Sequence, residues 1–264
     1  MAEFKVCTFN VNSIKARKEL IINWLKKRGN DVDVLCFQEL KTTEDKFPYQ
    51  DFEQLGYKSQ VFGQKGYSGV AICSKFKMDE VKKGLGDSYW DQQKRVISAK
   101  IKNAFIINVY APHGGLRGTE KYYYKLDFYK EFKKYLQRYY SPQSPLIIVG
   151  DMNVAKEDID VYDPVSLKDK IGTMTEEREA FNTFLSFGLI DTFRYIYPDK
   201  QHFSWWDYIG GRIWSNEGMR IDYILVTEPL KEKLKEVIID LWPRRRKTPT
   251  PSDHAPVIAT FFNL

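Results

Sequence analysis

The chain has 264 residues, 43% hydrophobic and 15% aromatic, with 41 Lys+Arg against 35 Asp+Glu and a formal charge of +6. That length suits one domain over 1–264 around a large core, and the basic balance suits a polyanionic partner without proving one. No apolar run approaches the ~18 residues of a membrane span, no charged-then-apolar leader opens the chain, and Cys7, Cys36 and Cys73 form an odd set inside apolar runs, so export and membrane spanning are excluded and reduced thiols in a cytoplasmic compartment are expected.

The first apolar β-type run, Phe4–Phe9, ends in Asn10-Val11-Asn12. Leu20, Ile21, Trp24 and Leu25 then share one face at helical spacing. Val32–Phe37 ends in Gln38-Glu39, and Tyr57–Phe62 and Gly69–Cys73 flank the loop Gly63-Gln64-Lys65-Gly66-Tyr67-Ser68-Gly69. After Val96–Ile101 and Phe105–Tyr110, a second helical stripe uses Tyr122, Leu126, Tyr129, Phe132, Leu136 and Tyr139. Leu146–Val149 leads into Gly150-Asp151-Met152-Asn153. A third helix begins at Thr175, a residue able to cap, and buries Phe181, Phe184, Leu185 and Leu189. Ile221–Val226, Val237–Leu241 and Val257–Phe262 complete the runs, the last preceded by Pro251-Ser252-Asp253-His254-Ala255-Pro256. The breaks at 141–145 and 243–251 are too short to tether separate domains.

Ten β-type runs with few long helices do not suit simple βαβ alternation; a two-sheet sandwich with helices outside fits better. The halves also echo each other: a strand ending in Asn10, a helix and a strand ending in Glu39, then a strand ending in Asp151-x-Asn153, a helix and a strand at Asp222.

Strand ends that offer Asn, Glu, Asp and His are how a rigid scaffold presents polar groups to one site. Glu39 alone reads as an exposed strand-end acid. Beside the other strand ends it reads as a ligand for a hard divalent cation, because Mg²⁺ commonly takes one or two carboxylates and keeps waters and substrate phosphate. Asp151 and Asn153, two apart in an extended stretch, face one side and could activate and hold a water against phosphorus. A Gly-Asp-x-Asn turn explains the same residues equally well. Asp253-His254, between two prolines, is held stiffly, and Asp222 is the candidate partner that orients His254 and favours its charged form. Lys41 and the glycine-rich loop carrying Lys65 read as contacts to phosphate, while Arg244-Arg245-Arg246-Lys247 divides evenly between phosphate contact and a solvated charge run.

Taken together, Phe9-Asn10-Val11-Asn12, Gln38-Glu39-Leu40-Lys41, Gly63-Gln64-Lys65-Gly66, Asn108-Val109-Tyr110, Gly150-Asp151-Met152-Asn153, Glu177-Arg178-Glu179, Gly188-Leu189-Ile190-Asp191-Thr192-Phe193-Arg194, Phe203-Ser204-Trp205-Trp206-Asp207-Tyr208, Arg220-Ile221-Asp222 and Pro251–Pro256 resemble the exonuclease III family of abasic-site DNA repair endonucleases, within the DNase I-like superfamily. The resemblance runs nearly end to end. It implies an α/β fold, a four-layer α/β/β/α sandwich of two mixed sheets with helices outside. It implies Mg²⁺-dependent cleavage, with Mn²⁺ as a substitute, of the phosphodiester 5′ to an abasic site. Activities of 3′-phosphodiesterase, 3′-phosphatase and 3′–5′ exonuclease type often accompany it. The partner would be duplex DNA with abasic sites or blocked 3′ ends, met by a monomer.

Carried over by position, Glu39 resembles the principal metal ligand, with Asn10, Asp151, Asn153, Asp253 and His254 grouped around the metal. Asp151 would activate water, Asn10 and Asn153 would orient it, Tyr110 and His254 would contact the scissile phosphate, and Asp222 would orient His254. Asn12, Lys41, Lys65, Gly66, Tyr67, His113, Gly172 and Arg220 fall where relatives meet DNA. Trp205, Met219 and Ile221 fall where they line a pocket for a flipped, baseless sugar. Ser13, Lys15 and His113 depart from the family's usual Gly, Arg and Asn or Gln, which bears on DNA contact rather than on the metal centre. The competing readings are another DNase I-like phosphoesterase (a nonspecific nuclease or a phosphoinositide or sphingolipid hydrolase) and a noncatalytic DNA-binding module. The Phe203–Trp206 and Arg220–Asp222 segments favour the repair branch, and an intact Glu39, Asp151 and His254 set is not needed for binding alone.

Overall fold

A computed structural model describes residues 2–264. Its strands among the described residues are β1 (Glu3–Asn10), β2 (Val34–Gln38), β3 (Lys58–Phe62), β4 (Val70–Ser74), β5 (Met78–Lys83), β6 (Val96–Ile101), β7 (Ala104–Tyr110), β8 (Leu146–Asp151), β9 (Ile190–Asp191), β10 (Asp222–Val226), β11 (Leu234–Ile239) and β12 (Val257–Phe262). They form two six-stranded mixed sheets, β11-β12-β1-β2-β4-β3 and β5-β6-β7-β8-β10-β9. Two strands escaped the sequence reading. β5, Met-Asp-Glu-Val-Lys-Lys, lies at a sheet edge with little to bury, and β9 has only two residues.

Each sheet has one parallel pair at its centre, β1/β2 and β7/β8, with antiparallel neighbours on both sides. A long helix makes each crossover, as a parallel pair requires: Ile14–Lys27 after β1 and Glu120–Tyr139 after β7. The internal echo is therefore real but differently phased from the one read in the sequence. The unit β1–helix–β2 matches β7–helix–β8, so Asn10 corresponds to Tyr110, and Glu39 follows β2 much as Asp151 ends β8.

Alternate residues of the facing strands, among them Val6, Val34, Ile72, Ile97, Ile106, Ile147, Val149, Ile224 and Ala259, fill the space between the sheets. The Ile14–Lys27 helix buries Ile21, Trp24 and Leu25 on the outside of the first sheet; Ser13 Oγ accepts from its Ala16 N–H, and Lys26 and Lys27 lie in its last turn, where cations are favourable. The helices Glu120–Tyr139 and Thr175–Leu185 cover the second sheet with Phe128, Tyr129, Phe132, Leu136, Phe181 and Phe184. The stripe of the Glu120–Tyr139 helix is rotated from the expected one. Tyr139 is exposed and Leu126 half-buried, while Phe128, Tyr135 and a lysine, Lys125, are buried. Thr175 is the first helical residue of its helix rather than the cap, which is Met174.

The registers bring the polar strand ends to one end of the sandwich. Asn10 pairs with Gln38 in parallel, Tyr110 pairs with Asp151 in parallel, and Asp151 faces Asp222 across an antiparallel pair. β12 runs antiparallel to β1, so the loop that precedes it emerges beside Asn10. Gly150 is required at this end: its φ is +151°, and a Cβ there would lie 1.8 Å from the Val109 carbonyl oxygen.

Candidate active site

Beneath the site the two sheets are bonded to each other. Asn108 of β7 donates through Nδ2 to the carbonyls of Phe37 (2.9 Å) and Ala71 (2.8 Å) in the other sheet, and its Oδ1 accepts from Gln38 Nε2 at 2.6 Å. All of these groups are buried, so the bonds fix one sheet against the other where the catalytic strands end.

On this floor Asn10 Nδ2 donates to both Glu39 Oε1 and Asp151 Oδ2, each at 2.9 Å. The other oxygen of Asp151 accepts from the Asn153 N–H at 2.8 Å, and Glu39 Oε2 is 3.0 Å from Lys41 Nζ. His254 Nδ1 meets Asp222 Oδ2 at 2.8 Å, leaving Nε2 3.7 Å from Asp151 Oδ2. Asp222 is in turn held by Ser204 Oγ at 2.6 Å, and Ser204 Oγ accepts from the N–H groups of Ile221 and Asp222. One ligand atom from each of Glu39, Asp151 and His254 falls within 4.8 Å of the others. Glu39, Asn153, Asn12, Ser13 and Lys41 all have positive φ, a concentration of disfavoured non-glycine backbone around one site.

The electrostatics follow from burial and crowding. Burial pushes the Asp151 carboxyl up to about 7, with Asp222 and Glu39 acting in the same direction and His254 and Asn10 against it. Burial works against a charged His254, but the Asp222 and Asp151 carboxylates outweigh it and push the imidazole up to about 10. Burial would raise Glu39, yet Asn10 and Lys41 hold it below the usual carboxylate value. Burial, then Glu39 and Asp151, raise the Tyr110 phenol well above its ordinary value, so it stays a donor. Asp253 is lowered despite burial by His254, by the Trp205 indole N–H and by Asn12.

These groups open into a cavity of about 210 Å³ lined by Glu39, Tyr110, His113, Asp151, Asn153, Gly172, Trp205, Met219, Ile221, Asp253 and His254, and by Ile171, which the sequence reading did not single out. Trp205 and Met219 pair through their backbones, and Trp205 Nε1 donates to Asp253 Oδ2 at 3.0 Å, so one wall of the cavity is tied to the His254 loop. Asn12 donates to Asp253 Oδ1 (3.1 Å) and accepts from Lys41 Nζ (2.6 Å) on the rim. Lys65, Gly66 and Tyr67 are exposed on a loop whose backbone pairs with Lys41 outside the cavity.

Arg220 is the correction. Expected at the DNA, it is 1% exposed, with Nε 2.8 Å from Asp160 Oδ1 and Nη2 2.8 Å from Asp191 Oδ2. Its guanidinium is neutralised by two carboxylates behind Met219 and Ile221 and cannot reach a phosphate. The basic run also divides: Arg244 is buried and donates to the carbonyls of Trp206 and Asp253, whereas Arg245, Arg246 and Lys247 are exposed. Ser204, Asn108 and Asp160 escaped the search for site residues because each acts through a neighbour. Only their places within the quoted motifs, or the acidic partners an arginine such as Arg220 demands, could have pointed to them.

A largely buried Asn–Glu–Asp–His–Asp cluster at the end of a two-sheet sandwich, with Glu39, Asp151 and His254 as a candidate metal site, is the centre of a phosphoesterase. The model of the Endonuclease/Exonuclease/phosphatase family matches residues 7–254. The chain is 35% identical to exodeoxyribonuclease III of Haemophilus influenzae, over 97% of this chain and 99% of that protein. Among solved structures it superposes on an AP endonuclease from Archaeoglobus fulgidus with a TM-score of 0.93 at 39% identity, covering 98% of this chain and 99% of the other. It superposes on a variant of the 3′ phosphatase NExo from Neisseria, bound to a product DNA hairpin, with a TM-score of 0.91 at 35% identity, covering 98% and 99%. The chain belongs to the exonuclease III/AP endonuclease branch of that family, and it is a DNA repair phosphodiesterase of this type. Among the described residues no helix is long and apolar enough to cross a membrane.

Proposed function

We propose that this enzyme hydrolyses the phosphodiester 5′ to an abasic site in duplex DNA, and removes 3′-phosphates and other 3′ blocks with the same groups. The observation that carries this reading is the joining of two features. A charged cluster made for phosphoryl hydrolysis opens into a cavity with Trp205, Met219 and Ile221 as its wall. A nucleotide without its base has lost stacking and pairing, so extruding it costs less than the few kcal/mol expected for an intact one. The apolar face that Trp205, Met219 and Ile221 give one side of this cavity suits a bare sugar and leaves no place for an attached base.

The donor set fits a divalent cation. Glu39 offers carboxylate oxygens, held below their usual pKa, within reach of Asp151 and His254, and oxygen donors suit Mg²⁺ or Mn²⁺. Glu39 and Asp151 would hold it, and His254, engaged by Asp222, is better placed as a donor to phosphate. When bound, the cation neutralises charge on the phosphate. Asp151 is placed to take the proton of the attacking water, with the Asn153 N–H and Asn10 amide fixing its two oxygens. The protonated His254 and the Tyr110 hydroxyl stabilise the oxygens of the phosphoryl group. The water oxygen bonds to phosphorus as the bond to the 3′-oxygen breaks. A 3′-terminal phosphate presents the same bond without a following sugar.

Lys41, Lys65 and the Gly63–Gly69 loop, with Asn12 and His113, supply contacts to the DNA backbone in this reading, and Gly172 leaves the mouth of the cavity open. The test uses three duplexes, with a single abasic site, with intact sequence and with a 3′-phosphate, each with and without Mg²⁺. Cation-dependent incision confined to the abasic site and removal of the 3′-phosphate are the expected results. Incision of intact DNA at a comparable rate would overturn the assignment.

A further inference from the structure

Directly behind the cavity wall lies a charge pair that the hydrolysis above does not use. Lys125, on the Glu120–Tyr139 helix, and Glu177, on the Thr175–Leu185 helix, are both 0% exposed, and their charges meet at 2.6 Å. Lys125 Nζ also donates to the carbonyl of Asn153 at 2.6 Å and to that of His113 at 3.3 Å, so each ammonium hydrogen has an acceptor. Glu177 Oε2 accepts from the N–H groups of Gly172 (2.6 Å) and Met174 (3.2 Å). Two helices on the outside of the sheet thus clamp three loops, and each loop contributes to the cavity: His113, Asn153, and Ile171 with Gly172.

Apolar replacement of a buried ion pair is often neutral or stabilising, but this pair also satisfies four backbone groups that apolar side chains would leave without partners. What an ion pair provides that packing cannot is fixed direction. Here the directions settle on backbone groups that line the cavity, and Asn153 among them is a non-glycine residue at φ +53°. Across the same cavity stand the walls that Trp205 and Met219 form.

We propose that Lys125 and Glu177 are positioning residues. By holding His113, Asn153 and Gly172 together they set the spacing between the hydrolytic carboxylate and the sugar pocket, and so the preference for an internal abasic nucleotide over a 3′-terminal phosphate. The choice of substrates rests on the abasic-site reading above. An internal site must seat the sugar that follows the scissile phosphate, whereas a 3′-terminal phosphate has no such sugar and feels the clamp only through the Asn153 N–H on Asp151.

The test compares wild type with Lys125→Met/Glu177→Met, which removes both charges and leaves neither stranded. The measurements are kcat/KM on the abasic and 3′-phosphate duplexes, melting temperature, and amide hydrogen exchange around 113, 153 and 172. In the double variant, below its melting temperature, abasic-site kcat/KM is expected to fall about 10- to 100-fold and 3′-phosphate hydrolysis by no more than about threefold, with a lower melting temperature because the Gly172 and Met174 N–H groups lose their acceptor, and with faster exchange in the three loops. Equal losses on both substrates, or no loss on either, overturn the proposal. If the double variant does not fold, Glu177→Gln, which keeps the shape and one acceptor oxygen, is judged by the same ratio. If wild type removes 3′-phosphates but leaves abasic duplexes intact, it is the abasic-site reading that fails. Exchange then decides the positioning role alone, and unchanged exchange at Asn153 and Gly172 in the variant refutes it.

Discussion

At His254 two opposing effects act on one proton. Burial disfavours the charge, and the carboxylates of Asp222 and Asp151 restore it, raising the imidazole from 6.5 to about 10. Because this folded-state value lies above the unfolded one, the stability it contributes is complete below about pH 6.5 and is lost as pH rises through about 10. Asp151 is raised in the same sense, from 3.8 to about 7, so without a cation its ionised form weighs against the fold at neutral pH. A divalent cation needs that ionised form. Mg²⁺ affinity should therefore be about tenfold weaker at pH 6 than at pH 8. The rise in melting temperature at fixed Mg²⁺ measures this, and the pH difference should shrink in Asp151→Asn, which does not titrate. Glu39→Ala and Asp151→Ala should each lower cleavage about 10²- to 10³-fold while largely keeping fold and DNA affinity. Steady-state rates at saturating Mg²⁺ beside a binding isotherm check this, and near-normal turnover in both variants would remove them from the chemistry.

In the abasic-site reading, two loops that line the cavity, one carrying Trp205 and one carrying Gly172, select the DNA that enters. Trp205 touches the substrate cavity with its ring and Asp253 with its indole N–H. Trp205→Ala should therefore widen the pocket, weaken abasic-site cleavage and narrow the preference over intact DNA, with 3′-phosphate hydrolysis less affected. If Trp205 only packs, melting temperature and all activities will fall together. Gly172 has a left-handed backbone, and a Cβ there would sit 3.3 Å from the Asn153 carbonyl oxygen and 4.0 Å from the Met219 methyl. A larger side chain would crowd the cavity beside Met219. Gly172→Asn, the side chain that best tolerates this φ, should depress abasic-site cleavage more than 3′-phosphate removal. Elements of this kind were legible in the sequence where chemistry and pattern coincide. The apolar runs at β1, β2 and β8 end in polar residues and the run at β12 is preceded by them, and they mark both the sheets and the site. β5 was not legible, because an exposed edge strand carries no apolar alternation. Arg220 was misread because its carboxylate partners, Asp160 and Asp191, lie 60 and 29 residues away in sequence, and only the fold shows that it is neutralised. Lys125 falls outside the apolar stripe expected for its helix for the same reason: a lysine signals solvent unless its acceptors are known.

Across the whole molecule, the two sheets repeat one arrangement of a central parallel pair, a helical crossover and antiparallel flanks, and the site forms where the two copies meet. Glu39 follows the central pair of one sheet and Asp151 ends that of the other. Asn10 bridges them at 2.9 Å on each side, and Asn108 with Gln38 locks the sheets directly below. A cation and phosphate bound by these groups would sit between the ends of the two sheets, so a charge substituted at the rim should change DNA affinity without altering chemistry. Lys65 is such a charge, exposed on the Gly63–Gly69 loop. With a net charge of +6, the protein should bind DNA with an affinity that falls steeply with salt, log K changing by about −0.9 per log unit of salt for each phosphate neutralised. Lys65→Gln should reduce that slope by about one and weaken abasic and intact duplexes alike, since a phosphate contact carries no sequence or damage information. Dissociation constants for both duplexes over a salt series give the slope. A flat dependence in wild type would argue for a small phosphoester as the substrate, and a selective loss on the abasic duplex would move Lys65 from the backbone to the lesion.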